Sequence, residues 1–165
     1  MLFRSRAAPP AVGDHLTRRQ NMAAMFGAMS PPLPSDVSAR EIDVRGSDGT
    51  AVYTKLYEHA ETPRGSVGIV YLHGGGYIGG SIEFYGGTIG RLVKEGGARG
   101  VAPDYRLAPE WRYPTNVDDA WRALVWLYEH AEEIGVDKGK IVIMGDSGGG
   151  GLAAALAVSN VSCLR

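Results

Sequence analysis

An α/β architecture, with a mostly parallel sheet, an antiparallel hairpin ahead of it and flanking helices, follows from three features of the sequence. Three short, nearly continuous apolar runs lie at residues 66–72, 98–103 and 140–144, which is how strands covered on both faces read. The segments between them carry apolar residues at helical spacing, the pattern of crossover connections in a βαβ layout. Ahead of them, Ile42 and Val44 alternate with charged neighbours before Gly46-Ser47-Asp48-Gly49, and Val52, Tyr53, Leu56 and Tyr57 follow. Two β-prone stretches around such a turn predict the hairpin.

Taken in order, residues 14–29 place Leu16, Met22, Met25, Phe26 and Met29 near one helical face and stop at Ser30-Pro31-Pro32-Leu33-Pro34, a run that cannot continue a helix. The hairpin comes next, and the first buried strand, 66–72, runs into a glycine-rich loop. Residues 84–94 predict a helix, 98–103 the second buried strand, and 115–130 a helix whose stripe is Val117, Ala120, Leu124 and Leu127. The third buried strand holds Ile141, Val142, Ile143 and Met144, and an alanine-rich helix is expected over 152–158. Residues 1–40 read as an N-terminal segment carrying the first helix, and residues 41–165 as the core.

Bulk properties narrow the class. At 165 residues with 44% hydrophobic content, the chain suits one globular domain. Its 17 basic and 18 acidic residues leave a net charge of −1 without long blocks, so nothing marks a surface for nucleic acid or an anionic membrane. A small neutral partner is expected instead. Cys163 is the only cysteine, which excludes an internal disulfide framework and a cysteine-rich zinc site and favours a reducing, cytoplasmic setting. No segment is apolar enough to span a bilayer, and the start of the chain, despite Arg4 and Arg6, lacks the apolar run of a signal peptide. Asn160-Val161-Ser162 matches a glycosylation acceptor, a match without context in a chain with no secretory signal.

Two glycine clusters carry the chemistry. The first, His73-Gly74-Gly75-Gly76-Tyr77-Ile78-Gly79-Gly80, directly follows the first buried strand. It reads either as a flexible surface turn or as a loop whose N–H groups approach a developing negative charge, where side chains would obstruct. The second, Gly145-Asp146-Ser147-Gly148-Gly149-Gly150-Gly151, joins the third strand to the alanine-rich helix. Alone it could be a β-α turn with an N-capping serine. Strand, G-x-S-x-G and helix together describe a turn on which a serine hydroxyl stands clear, while small residues on either side let strand and helix pack closely. A helix N-terminus beneath that serine favours negative charge, and a glycine-rich loop after an earlier strand is its usual companion.

With HGGGY at 73–77, DYRLAPE at 104–110 and GDSGGG at 145–150, the chain resembles the hormone-sensitive-lipase-like branch of the α/β-hydrolase fold, over roughly residues 14–160. The resemblance implies an incomplete α/β-hydrolase core with a cap-like first helix, hydrolysing small-molecule carboxylic esters without metal or cofactor. Carried over by position, it implies Ser147 as nucleophile and the N–H groups of Gly75, Gly76 and Gly148 as oxyanion donors, each worth about 3 to 4 kcal/mol of barrier. His73 and Asp146 become loop supports, and Asp104, Tyr105, Arg106 and Glu110 fall where the family has a polar network. The same four residues also fit a solvated loop.

A serine nucleophile needs a base and a group that orients it, and in this fold both follow the serine. No Asp, Glu or His follows Ser147, and His15, His59, His73 and His130 all precede it. A His-Asp-Ser order would suit chymotrypsin-like proteases, but those are antiparallel barrels, and here the serine opens a helix after a buried strand. His59 closes a hairpin strand, and His130 is expected to end a helix on the surface as a dipole partner. The expectation is therefore a C-terminally truncated esterase, nearly inert as this chain, since loss of a triad member costs on the order of 10⁶ in turnover. The competing reading is a non-catalytic fragment or relative that binds a ligand or partner; a third supplies the missing acid and histidine from another chain. An uncovered apolar strand 140–144 also invites self-association.

Overall fold

The computed structural model describes residues 9–159; Arg4, Arg6, Cys163 and the Asn160-Val161-Ser162 match lie outside the described residues. Helix α1 (His15–Met29) starts on Asp14, whose carboxylate accepts from the Thr17 N–H at 3.0 Å, an N-cap that satisfies one of the helix's orphan donors. Strands β1 (Val37–Arg45) and β2 (Ala51–His59) pair antiparallel about the expected turn, with Val44 opposite Val52. Then come β3 (Ser66–Leu72), α2 (Ile82–Glu95), β4 (Ala98–Pro103), α3 (Thr115–Ile134), β5 (Val136–Gly145) and α4 (Gly148–Ser159).

The sheet runs β1-β2-β4-β3-β5. The β2–β4 pair is antiparallel, while β4–β3 and β3–β5 are parallel, so the hairpin extends one side of a three-stranded parallel unit. Because side chains alternate along β3, Val70 and Leu72 enter one core with α3 and α4, and Ile69 and Tyr71 enter another with α2. Both faces of β3 are thus covered, which accounts for its unbroken apolar run.

Three expectations are corrected. The strand 140–144 is an edge strand among the described residues, as expected, but it is covered on one face and not open on both. Ile141 and Ile143 pack toward α3, but Val142 is 42% exposed and Met144 36% exposed on the other face. Second, α3 continues past His130 to Ile134 and closes on a left-handed Gly135. His130 is therefore not a terminal surface group: its ring stacks on Trp126 at 4.2 Å and its Nδ1 lies 2.9 Å from the Trp126 carbonyl. Third, α4 begins at Gly148, four residues before its alanine-rich part.

Candidate active site

Two adjacent parallel strands explain why motifs far apart in sequence meet. Tyr71 is level with Met144 and Leu72 with Gly145, so β3 and β5 end side by side and release the loops 73–80 and 145–147 in the same direction. The second loop is as tight as the backbone allows. A methyl group at Gly145 would stand 2.5 Å from the Gly149 carbonyl, and one at Gly149 would overlap the carbonyl oxygen of Leu72. Only glycine permits that approach of strand to helix. Between them Ser147 has φ +49° and an exposed side chain, a left-handed conformation that costs a non-glycine residue about 1 to 2 kcal/mol. The first helical bonds of α4, Gly150 N to Asp146 O and Gly151 N to Ser147 O, are both 3.2 Å.

The glycine loop folds back on itself. The Gly75 carbonyl accepts from the N–H groups of Ile78 at 3.2 Å and Gly79 at 3.1 Å. That turn leaves Gly75 buried and Gly76 exposed, with φ +135° and +60°. The position a side chain would take on Gly148 is 3.1 Å from the Gly76 nitrogen and 3.3 Å from the Tyr77 nitrogen. Backbone nitrogens of the loop and the N-terminus of α4 are therefore neighbours beside the Ser147 turn, and such a junction offers orphan N–H groups and a positive helix end to an anion.

Supports surround both turns. His73 is fully buried, its ring stacked on Tyr105 at 4.2 Å and nearly parallel, with Nδ1 2.8 Å from the Gly74 carbonyl. The Tyr105 hydroxyl donates to the His73 carbonyl at 2.6 Å. Burial pushes the imidazole below its usual range, so the neutral ring donates from Nδ1 to Gly74; its Nε2 makes no hydrogen bond and lies 3.5 Å from Asp104. Asp104 accepts from the Ile82 N–H at 2.9 Å and the Ser81 hydroxyl at 3.3 Å, holding the start of α2. Arg106 donates to buried Asp119 at 2.6 Å and to Asp48 at 2.6 Å. Glu110 is gripped by Arg19 of α1 at 2.5 Å. The four residues of 104–110 are thus a partnered network and not a solvated loop.

The structure also shows partners that sequence reasoning did not assign. Asp146 accepts from Tyr85 at 2.8 Å and Tyr71 at 3.3 Å, tying the serine turn to α2 and β3. Arg19, besides gripping Glu110, donates to the carbonyls of Ile78 and of Ala108, the latter at 2.7 Å, so α1 is bolted to the glycine loop and to the 104–110 segment. Tyr71 lies on the face of β3 that meets α2, but nothing local in sequence pairs it with Tyr85 and Asp146. Of the upstream histidines, His15 faces Glu110 at 3.6 Å, His59 faces Asp36 at 3.3 Å and His130 lies against Trp126; none hydrogen-bonds Ser147. Among the described residues, no three His, Cys, Asp or Glu side chains gather as a metal cage, and no helix is long and apolar enough to cross a membrane.

Comparison with known proteins supplies context for this geometry. A family model described as the α/β-hydrolase fold matches residues 69–163. The chain is 39% identical over 146 residues to an ethyl acetate hydrolase of Pseudomonas putida, covering 87% of this chain and 45% of that protein. Among solved structures, EstE1, a thermostable carboxylesterase from a metagenomic library, superposes with a TM-score of 0.81 at 32% identity, covering 91% of this chain and 51% of that one. A bacterial heroin esterase gives 0.82 at 34% identity, covering 88% and 46%. The chain spans about half the length of these relatives.

Proposed function

This chain belongs to the α/β-hydrolase fold family, in its hormone-sensitive-lipase-like branch, and from that premise we propose that it carries the nucleophile half of a carboxylic ester hydrolase. Ser147 is the nucleophile, the N–H groups of Gly75, Gly76 and Gly148 are the oxyanion donors, and His73 and Asp146 hold the two turns in place. Its substrates are small-molecule carboxylic esters, as the names of the relatives suggest. The observation that carries the reading is the approach of Gly148 to the Gly76 nitrogen beside an exposed, strained Ser147.

In the reaction the Ser147 Oγ attacks the ester carbonyl carbon as its proton leaves. The carbonyl oxygen then gains negative charge against N–H groups already aimed at it, which is where such donors lower a barrier most. Within this chain no acid or histidine follows Ser147 to take that proton, so the chain by itself has oxyanion stabilisation without general-base catalysis. Turnover of p-nitrophenyl butyrate is expected to stay close to the solvent background. Slow modification of Ser147 by an uncharged fluorophosphonate, mapped by peptide mass spectrometry and absent in Ser147→Ala, is the expected positive result. Failure to modify Ser147 favours the second reading, a binding module without catalysis, for which Glu110, Asp119 and the rest of the partnered network act only as scaffold.

Three further elements belong to the same proposal. Residues 1–40, with α1 bolted through Arg19 to the glycine loop and the 104–110 segment, form a cap-like segment on a core of residues 41–165. The β5 edge, uncovered among the described residues and with Val142 and Met144 exposed, pairs with a second copy of the chain, since an unprotected apolar edge is a template for another strand. The single cysteine and the balanced charge suit the cytoplasm.

A further inference from the structure

On the α2 side of the Ser147 turn lies a pocket of 260 Å³ roofed by α1 and lined by Phe26, Met29, Phe84, Tyr85, Thr88 and Asp146. Three half-buried aromatic rings form its wall: Phe26 is 6.3 Å from Phe84 and 6.1 Å from Tyr85, each pair inclined and not stacked. Tilted rings turn both edges and π-faces toward the space they border. The Asp146 carboxylate completes the lining, its Oδ2 resting against Gly74 of the oxyanion loop.

The charge of that carboxylate is what sets the pocket apart. Asp119 has Arg106, Glu83 has Lys55 at 2.7 Å and Glu110 has Arg19, whereas Asp104, like Asp146, has no cation among the described residues and faces the neutral His73 ring. Among the described residues no Lys, Arg or His stands within ion-pair distance of Asp146; its partners are the Tyr85 and Tyr71 hydroxyls. Phenols satisfy lone pairs but bring no positive charge. Burial, followed by the bond to Asp146, pushes the Tyr85 phenol up to about 12, so it remains a neutral donor through the neutral range. A half-buried anion in the lining of an aromatic pocket is complementary to an alkylammonium, which is attracted by ring faces and carboxylate together. At 260 Å³ the space is below the roughly 300–1,000 Å³ of drug-sized sites, which suits a compact head group more than a long acyl chain.

We infer that this pocket binds the cationic head of the substrate, a quaternary or small alkylammonium group, so that the preferred esters carry a positive charge near the carbonyl. The inference rests on the ester-hydrolase reading for its link to substrate, but the binding itself does not. Its test uses choline and the uncharged carbon isostere 3,3-dimethyl-1-butanol, titrated calorimetrically into the 165-residue chain. Choline is expected to bind about tenfold more tightly than the isostere, and the advantage shrinks as salt is added. Asp146→Asn brings the ratio close to one, and Phe26→Leu, on α1 and outside the turn, lowers it several-fold; if Asp146→Asn does not fold, Phe26→Leu decides. Equal binding of the two probes overturns the inference and leaves a short apolar slot. A choline preference unchanged in Phe26→Leu also overturns it, because the cation then binds elsewhere. Fluorophosphonate modification of Ser147 in the same samples separates the two readings: an adduct without choline preference sinks the pocket alone, and preference without an adduct sinks the nucleophile alone.

Discussion

Ser147 holds a left-handed backbone that a glycine would adopt freely, so strain and chemistry sit on one residue. Ser147→Gly is expected to raise stability by up to about 1 kcal/mol while abolishing fluorophosphonate modification, as measured by urea denaturation and mass spectrometry; a loss of stability would mean the serine side chain supports the turn. Its neighbours respond unequally to one added methyl. At Gly149 the methyl meets the Leu72 and His73 carbonyls, which are backbone and cannot yield, whereas at Gly151 it meets only the far end of the Tyr77 side chain. Gly149→Ala should therefore cost about 2 to 3 kcal/mol, and Gly151→Ala less than about 1 kcal/mol, on the same denaturation curves. A further residue-scale consequence concerns buried Asp119, which takes three donors of Arg106 and its backbone. Asp119→Ala leaves a guanidinium largely buried with only Asp48 beside it and is expected to cost about 3 to 5 kcal/mol.

The elements differ in how openly the sequence declared them, and the differences have physical causes. Strands β3 and β4 stand at the bounds their apolar runs suggest, because each is covered on both faces and the hydrophobic run is the strand. Strand β1 reaches back to buried Val37, paired with His59, through mostly exposed polar residues that carry no apolar alternation. Strand β5 starts at Val136 because Ser66 pairs with Val136 ahead of an irregularity, a long-range bond with no local signature. Helix α4 opens on four glycines, poor helix formers, because close packing against Leu72 requires them. The serine turn and glycine loop were legible as motifs; the Tyr71 and Tyr85 grip on Asp146 and the Arg19 bolt were not, since they join residues that only the fold brings together. Helix α1 has no buried residue and depends on that bolt, which carries a pH dependence. The Arg19 guanidinium beside Glu110 holds its carboxyl at about 2, below the ordinary 4.5. A carboxyl lowered on folding stabilises the fold above its unfolded value and loses that contribution as pH falls from 4.5 toward 2. Acid titration followed by circular dichroism should show α1 loosening in that window, and Arg19→Ala should remove this acid component by loosening α1 already at neutral pH.

At the scale of the molecule, β1 and β5 are the two outer strands of the sheet among the described residues, and they are not equivalent. β1 is lined with charge, including Arg40, Glu41, Asp43 and Arg45, which discourages strand addition, whereas β5 exposes Val142 and Met144. Association is thus expected at β5, and Val142→Lys should shift the sedimentation profile from dimer or larger species toward monomer; a wild-type chain that sediments as a monomer at high concentration would contradict the edge-pairing proposal. The same layout places the ends of β3 and β5 together, and the candidate site depends on that adjacency more than on any single side chain. Nuclear magnetic resonance on the ¹⁵N-labelled chain, before and after phosphonylation of Ser147, tests it most directly. A converging site requires the amide protons of Gly76 and Gly148 to move downfield together as the phosphonyl oxygen settles between them. An adduct that leaves either amide unmoved would contradict the account.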